Sequence, residues 1–124
     1  MSFKEYLNEN NAFRGDVNEI LLGYHLVGSW DKFVNADVSR DALKSRRIVV
    51  DPDDFAEEEI RAKRMAAETR IWLDQTKFGK IKSVQWIGRG PGKLSDVIPG
   101  AEGSTPADLV LTFSNGKILG ISAK

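Results

Sequence analysis

The sequence predicts an α/β domain of the α+β type, in which N-terminal helices precede an antiparallel three-stranded meander. Three stretches carry that prediction. "GDVNEILLGYHLVGSW" is apolar almost all round at helical spacing; "DDFAEEEIRAKRMAAETRIWLDQTKFG" is a long run of helix formers that starts acidic and stops at Gly79; "ADLVLTF" and "KILGISAK" flank "SNG", a hairpin signal.

Residues 1–15 are polar, with a short "FKEYL" turn, and read as an N-terminal arm or short helix; residues 16–124 read as the domain proper. Asp16 is a candidate N-cap, and Glu19 three positions later completes a capping box. Val17, Ile20, Leu21, Tyr24 and Val27 line one face of the helix that follows, with Leu22 and Leu26 on the other side. A helix apolar on both sides is buried on both, so Glu19 is not expected to face open water. "NADVSRDALKSRRIVVDPDD" fits helix or strand: the basic cluster Lys44, Arg46 and Arg47 precedes the β-branched "IVV", and Pro52 closes the segment. In the long helix, Ile60, Ala67 and Ile71 form an apolar stripe expected to face the core, while Glu57 with Arg61 and Glu59 with Lys63 are supportive pairs on the solvated side. "KIKSVQWIG" alternates imperfectly and reads as the first strand, and "RGPGKLSDVIPGAEGSTP" is loop.

Two turns compete at the hairpin. A two-residue Asn115-Gly116 loop mixes apolar and polar residues on both faces. A three-residue Ser114-Asn115-Gly116 loop, with Gly116 in the left-handed position of a bulge, pairs Phe113 with Lys117. Leu109, Leu111, Phe113, Leu119, Ile121 and Ala123 then share one face, and Asp108, Val110, Thr112, Ile118, Gly120, Ser122 and Lys124 share the other. Because a one-residue slip flips every side chain, the clean segregation selects the second register and sets Asp108 opposite Ser122, with Lys124 one step along the same face.

Composition narrows the functional classes. A chain of 124 residues holds one modest core, and 41% hydrophobic with 29% charged residues is the balance of an ordinary globular protein. Eighteen basic and eighteen acidic side chains cancel, so a nucleic-acid surface has to be a local patch. The lack of cysteine excludes disulfides, thiolate metal sites and cysteine nucleophiles. No apolar run reaches membrane-spanning length, and "MSFKEYLNEN" lacks the hydrophobic region of a secretory signal, so a cytoplasmic location and no membrane partner are expected.

A carboxylate at the start of one strand and a lysine at the end of its partner suit metal-assisted phosphodiester hydrolysis: the carboxylate can hold Mg²⁺, and the lysine can orient water and offset phosphate charge. On "TPADLVLTF", which carries Asp108, and "LGISAK", which carries Ser122-Ala123-Lys124, the sequence resembles the PD-(D/E)XK nuclease superfamily. The family often adds a glutamate on its first core helix, a position that Glu19 in "NEILLGYHL" matches. Ser122 stands where the family pattern has an acid. In the family a helix and a strand follow the lysine, so the resemblance implies the N-terminal part of a restriction-endonuclease-like core, incomplete at its C-terminus, with a homo-oligomer or a second chain supplying what is missing. It further implies a Mg²⁺- or Mn²⁺-dependent DNA endonuclease, with Asp108, Lys124, Glu19 and Ser122 as catalytic residues and Asp108 and Glu19 as metal ligands.

Plainer readings stand beside these. Asp108 also reads as a polar strand start, Lys124 as a solvated tail, Ser122 as structural and Glu19 as a helix cap. His25, the one histidine, reads as a packed helix residue, and Trp30, Trp72 and Trp86 as core. "GRGPGK" fails both the Walker A and the dinucleotide glycine spacing, which leaves Arg89 and Lys93, like Lys44, Arg46 and Arg47, as candidates for backbone contacts to nucleic acid. The alternative function is a non-catalytic nucleic-acid-binding or assembly module whose last strand pairs with a partner chain.

Overall fold

A computed structural model describes residues 3–87 and 107–122, with side chains from residue 12 onward. Among these residues the chain forms helices α1 (Phe3–Val27), α2 (Ala36–Val49) and α3 (Pro52–Gln75), a short 3-10 turn (Trp30–Lys32), and strands β1 (Ile81–Trp86), β2 (Leu109–Phe113) and β3 (Ile118–Ile121). The strands make an antiparallel sheet in the order β1-β2-β3. This is the α+β class expected from the sequence. No helix among the described residues is long and apolar enough to cross a membrane.

The α1 helix does not start at Asp16. It runs continuously from Phe3 through Gly15, so Asp16 and Glu19 sit inside it and form no capping box, and the boundary drawn at residue 15 falls within a helix. A glycine inside a helix costs about 1 kcal/mol relative to alanine. The residues on either side of Gly15 are fixed by tertiary ion pairs: Arg14 reaches Glu58 of α3 at 2.9 Å, and Asp16 reaches Arg46 of α2 at 3.2 Å. These contacts pin the helix across the weak point. Residues 36–49, which fit helix or strand by sequence, are helical, with Val50 buried just past the end and Ile48 and Val49 left exposed.

Helix α3 starts where the sequence indicates. Asp51 caps it by accepting from the Asp53 N–H at 2.9 Å, and Pro52 occupies the first turn, where its missing N–H costs nothing. Its faces are the reverse of those expected. Ile60 and Ile71 are 60% and 57% exposed, and Ala67 is exposed with them. The buried face comprises Phe55, Glu58, Ala62, Ala66 and Leu73. Small alanines at its centre let α3 pack against α1, and the larger isoleucines fall on the solvent side. Of the two expected pairs, Glu59–Lys63 forms at 3.5 Å. Glu57 and Arg61 turn instead to Arg14 (3.5 Å) and Glu58 (3.6 Å).

The sheet lays Val84, Trp86, Leu109, Leu111 and Phe113 onto a core completed by Val17, Ile20, Leu21 and Leu22 of α1. A shift in the ladder between Ile81 and Ser83 accounts for the imperfect alternation of β1. The hairpin has the register chosen from its hydrophobic pattern: Leu109 pairs with Ile121 and Leu111 with Leu119. Phe113 accepts from the Gly116 N–H and donates to the Lys117 carbonyl, and Gly116 takes φ +85° as the bulge requires.

The two edges of the sheet are treated differently. Outside β1, Phe33 forms a parallel bridge with Val84, and the Val34 N–H donates to the Val84 carbonyl at 2.8 Å. One residue on, the Asn35 side chain imitates a strand, donating Nδ2 to the Trp86 carbonyl at 2.8 Å and accepting the Trp86 N–H on Oδ1 at 3.2 Å. Strand β3 is the opposite edge.

Candidate functional site

Of the predicted site residues, Asp108, Ser122 and Glu19 lie at one end of the sheet. Asp108 immediately precedes β2, and its backbone is clamped from both sides: its N–H donates to the Ile121 carbonyl at 2.8 Å, and its carbonyl accepts from the Ile87 N–H at 2.9 Å. Strand β3 can approach this segment closely because position 120 is glycine; a Cβ there would stand 3.0 Å from Ala107 Cβ. Across the hairpin, the Ser122 hydroxyl donates to Asp108 Oδ2 at 3.5 Å, the juxtaposition that the register implies.

Glu19 reaches the same end of the sheet from α1. Its Oε1 accepts the Trp86 indole N–H at 3.1 Å, and Trp86 pairs with Leu109, the neighbour of Asp108. Glu19 and Asp108 nevertheless address different faces. Trp86 and Leu109 point into the helix-covered core, and alternation turns Asp108 to the opposite face of the sheet with Val110 and Thr112, where Val110 and its pair Gln85 are also buried. The glutamate is therefore held beside the strand carrying the aspartate, and Asp108 faces Ser122. Trp86 and Asn35, which position these groups, are not evident from sequence because their partners lie 67 and 51 residues away.

The basic candidates divide. Arg46 is committed to Asp16 and stacks 5.0 Å over the Phe13 ring, and Arg47 lies 5.2 Å over the Phe55 ring. Lys44 and Arg47, with Arg40 and Trp30, line a cleft of about 490 Å³ that Asp37 and Asp41 also border. Arg89, Lys93 and Lys124 lie outside the described residues. A second groove, of about 400 Å³, runs between Gly120, Ile121 and Ser122, at the end of β3, and Met65, Glu68, Thr69 and Trp72 of α3.

Among the described residues no group of three or more acidic or histidine side chains is arranged to hold a metal ion. Asp108 and Ser122 offer a carboxylate and a hydroxyl, hard oxygen donors of the kind Mg²⁺ or Mn²⁺ accepts when water and a substrate phosphate complete its shell.

His25 is the packed helix residue expected. It is partly buried, its ring meets Tyr24 edge-on at 5.6 Å, and its Nε2 is buried without a hydrogen-bond partner among the described residues. Burial first, then the charges of Lys63 and Arg70 on α3, push its pKa below 6.5, against the opposing pull of Glu59. A folded-state pKa below the unfolded value means that folding favours the neutral ring, so this contribution to stability is full above pH 6.5 and is lost as the pH falls through 6.5 towards the folded value. In urea titrations between pH 5 and 8, His25→Gln is expected to show a smaller loss of stability on acidification than the parent chain; identical slopes would remove His25 as the cause.

Comparison with protein-family models, curated protein sequences and solved structures yields no match to this chain.

Proposed function

We propose that the chain is a cytoplasmic, Mg²⁺- or Mn²⁺-dependent DNA endonuclease, or the N-terminal part of one, that hydrolyses phosphodiester bonds. The observation that carries this reading is the Asp108–Ser122 opposition across the hairpin, at the strand end where the resemblance to PD-(D/E)XK nucleases locates its acid-x-Lys pair. Asp108, with its backbone fixed on both sides, holds the metal, and the Ser122 hydroxyl fixes the orientation of its carboxylate. A bound Mg²⁺ supplies Lewis acidity at the scissile phosphate and lowers the pKa of a bound water. Lys124 orients the attacking water, and Glu19 supports the site from α1 through Trp86. Lys44 and Arg47, together with Arg89 and Lys93, contact the nucleic-acid backbone; Arg46 is less suited because Asp16 already holds it.

Supercoiled plasmid incubated with the protein and Mg²⁺ or Mn²⁺ is expected to be nicked, with no product in EDTA or with Asp108→Ala. The Asp108→Ala variant should keep the parent's circular dichroism, since the hydrogen bonds of the Asp108 backbone to Ile121 and Ile87 do not involve the side chain that is removed. Nicking that survives Asp108→Ala would sink the assignment.

A second reading rests on β3 being an edge strand with a groove beside it, the geometry of a module that accepts a strand from another chain. A folded chain that neither cleaves DNA nor binds Mg²⁺ through Asp108 would favour it.

A further inference from the structure

The sheet closes one edge and leaves the other open. Phe33, Val34 and the Asn35 amide engage Val84 and Trp86 on the outer side of β1, whereas β3 has no strand on its outer side among the described residues. Phe113 and Lys117 form a hydrogen-bonded pair, and bonding alternates along an antiparallel ladder. Leu119 and Ile121 therefore turn their amides to β2, while Ile118 and Gly120 turn theirs outward. Exposed edges are commonly blunted by a charge, a proline or a bulge. Strand β3 carries no charge and no proline, and its pairing with β2 runs without a shift. Beside this edge lies the groove of about 400 Å³, walled by Leu119 and Ile121 on the sheet, Leu22 on α1, and Met65 and Trp72 on α3. Trp72 is left 45% exposed.

We propose, building on the second reading above in which β3 accepts a strand, that the occupant is an extended segment of another protein, with aliphatic side chains at alternate positions and a lysine or arginine that meets Glu68. The outward amides of Ile118 and Gly120 call for an extended backbone. Alternate side chains of a strand added there fall in line with Leu119 and Ile121 and enter the groove, whose volume is that of a small-ligand cleft and takes one row of side chains. Glu68 is the one charged residue among the described residues that line it. It is exposed and forms no ion pair or hydrogen bond with any described residue. A cation on the incoming segment supplies the missing partner. A second copy offering its own β3 fits less well, because Lys117, the basic residue that borders that strand, is already placed over the Phe78 ring at 5.1 Å.

Panning a phage-displayed library of random peptides on the purified chain tests the proposal. Enriched sequences are expected to carry aliphatic residues at alternate positions and to include a lysine or arginine. N-methylation of one alternate set of peptide amides, the set facing β3, should abolish binding, a change that leaves the protein untouched. Ile118→Pro should weaken binding about tenfold, the worth of one hydrogen bond, with circular dichroism unchanged because an edge strand tolerates proline where its N–H faces solvent. Glu68→Lys should weaken binding about threefold and favour the same peptides with glutamate in place of the cation. A library that yields no binder, or binders indifferent to N-methylation, overturns the proposal and removes the strand-accepting reading with it. Binders that need those amides but bind Glu68→Lys as tightly as the parent overturn the basic partner alone and leave that reading standing. A chain that dimerises in sedimentation equilibrium, and that Ile118→Pro returns to monomer, assigns the edge to a second copy and likewise overturns the proposal.

Discussion

Arg14→Ala is expected to destabilise the fold by about 3 kcal/mol, because it strands a carboxylate in the interface between α1 and α3. Glu58 is 3% exposed and lies on the buried face of α3, between Phe55 and Ala62. Its Oε1 accepts from Arg14 Nη2 at 2.9 Å, and its other cation, Arg61, is more distant at 3.6 Å and largely solvated. Burial works against the charge on Arg14, but the hydrogen bond from Glu58 and the charges of Asp54, Glu58 and Glu57 outweigh it, and the guanidinium pKa is raised. Deleting Arg14 therefore leaves Glu58 desolvated with only the weaker partner. The figure sits at the low end of the usual 3–5 kcal/mol because Arg14 is itself 24% exposed and Arg61 remains. Removing both charges with Arg14→Met and Glu58→Leu should cost far less than the single change, since no unpaired charge is left behind. Urea unfolding at constant m-value measures both. A loss under about 1 kcal/mol for Arg14→Ala would show that water reaches Glu58 and that the pair behaves as a surface bridge.

How far the fold could be read in advance depended on whether the deciding interactions were local. The hairpin was legible because one slip would turn Leu109, Leu111 and Phe113 out of the core, and Gly116 had one natural place in the turn. The faces of α3 were not legible. Ile60, Ala67 and Ile71 make as regular a stripe as Phe55, Ala62, Ala66 and Leu73, and what buries the second set is the fit of α1, with Arg14 meeting Glu58. A charged residue on the buried face and isoleucines on the solvent face reverse the usual polarity rule. The unbroken α1 was hidden for the same reason. Gly15 beside Asp16 is a sound helix boundary until Arg46, thirty residues on, claims the aspartate.

At the candidate site, Asp108 opposite Ser122 followed directly from the register. What lay beyond the sequence was the support around it: the indole that holds Glu19, the Asn35 amide that closes the edge of β1, and the passage of Ala107 over Gly120. Glu19 was expected to avoid open water, and it does so by hydrogen bonding to Trp86, a residue read only as core.

Gly23→Leu is expected to cost about 3 kcal/mol, at the upper end for overpacking a tight core. Gly23 lies buried in α1 where the helix passes close to its neighbours: a Cβ would stand 3.1 Å from the Phe33 ring and 3.4 Å from Leu109 Cδ2. A single methyl is tolerable if Phe33 yields by a few tenths of an ångström, and the helix gains about 1 kcal/mol from alanine over glycine, so Gly23→Ala should be within about 1 kcal/mol of neutral. A leucine has no such room. It must displace Phe33, which forms the bridge to Val84, and disturb the adjoining Asn35 clasp on Trp86, the residue that holds Glu19. Destabilisation in Gly23→Leu should therefore come with a change in the Trp86 indole N–H resonance in NMR spectra, while Gly23→Ala leaves that resonance near its parent position. A leucine variant as stable as the parent would mean that α1 can move off the sheet without loss, and that the close approach at Gly23 does not hold the Glu19 end of the sheet in place.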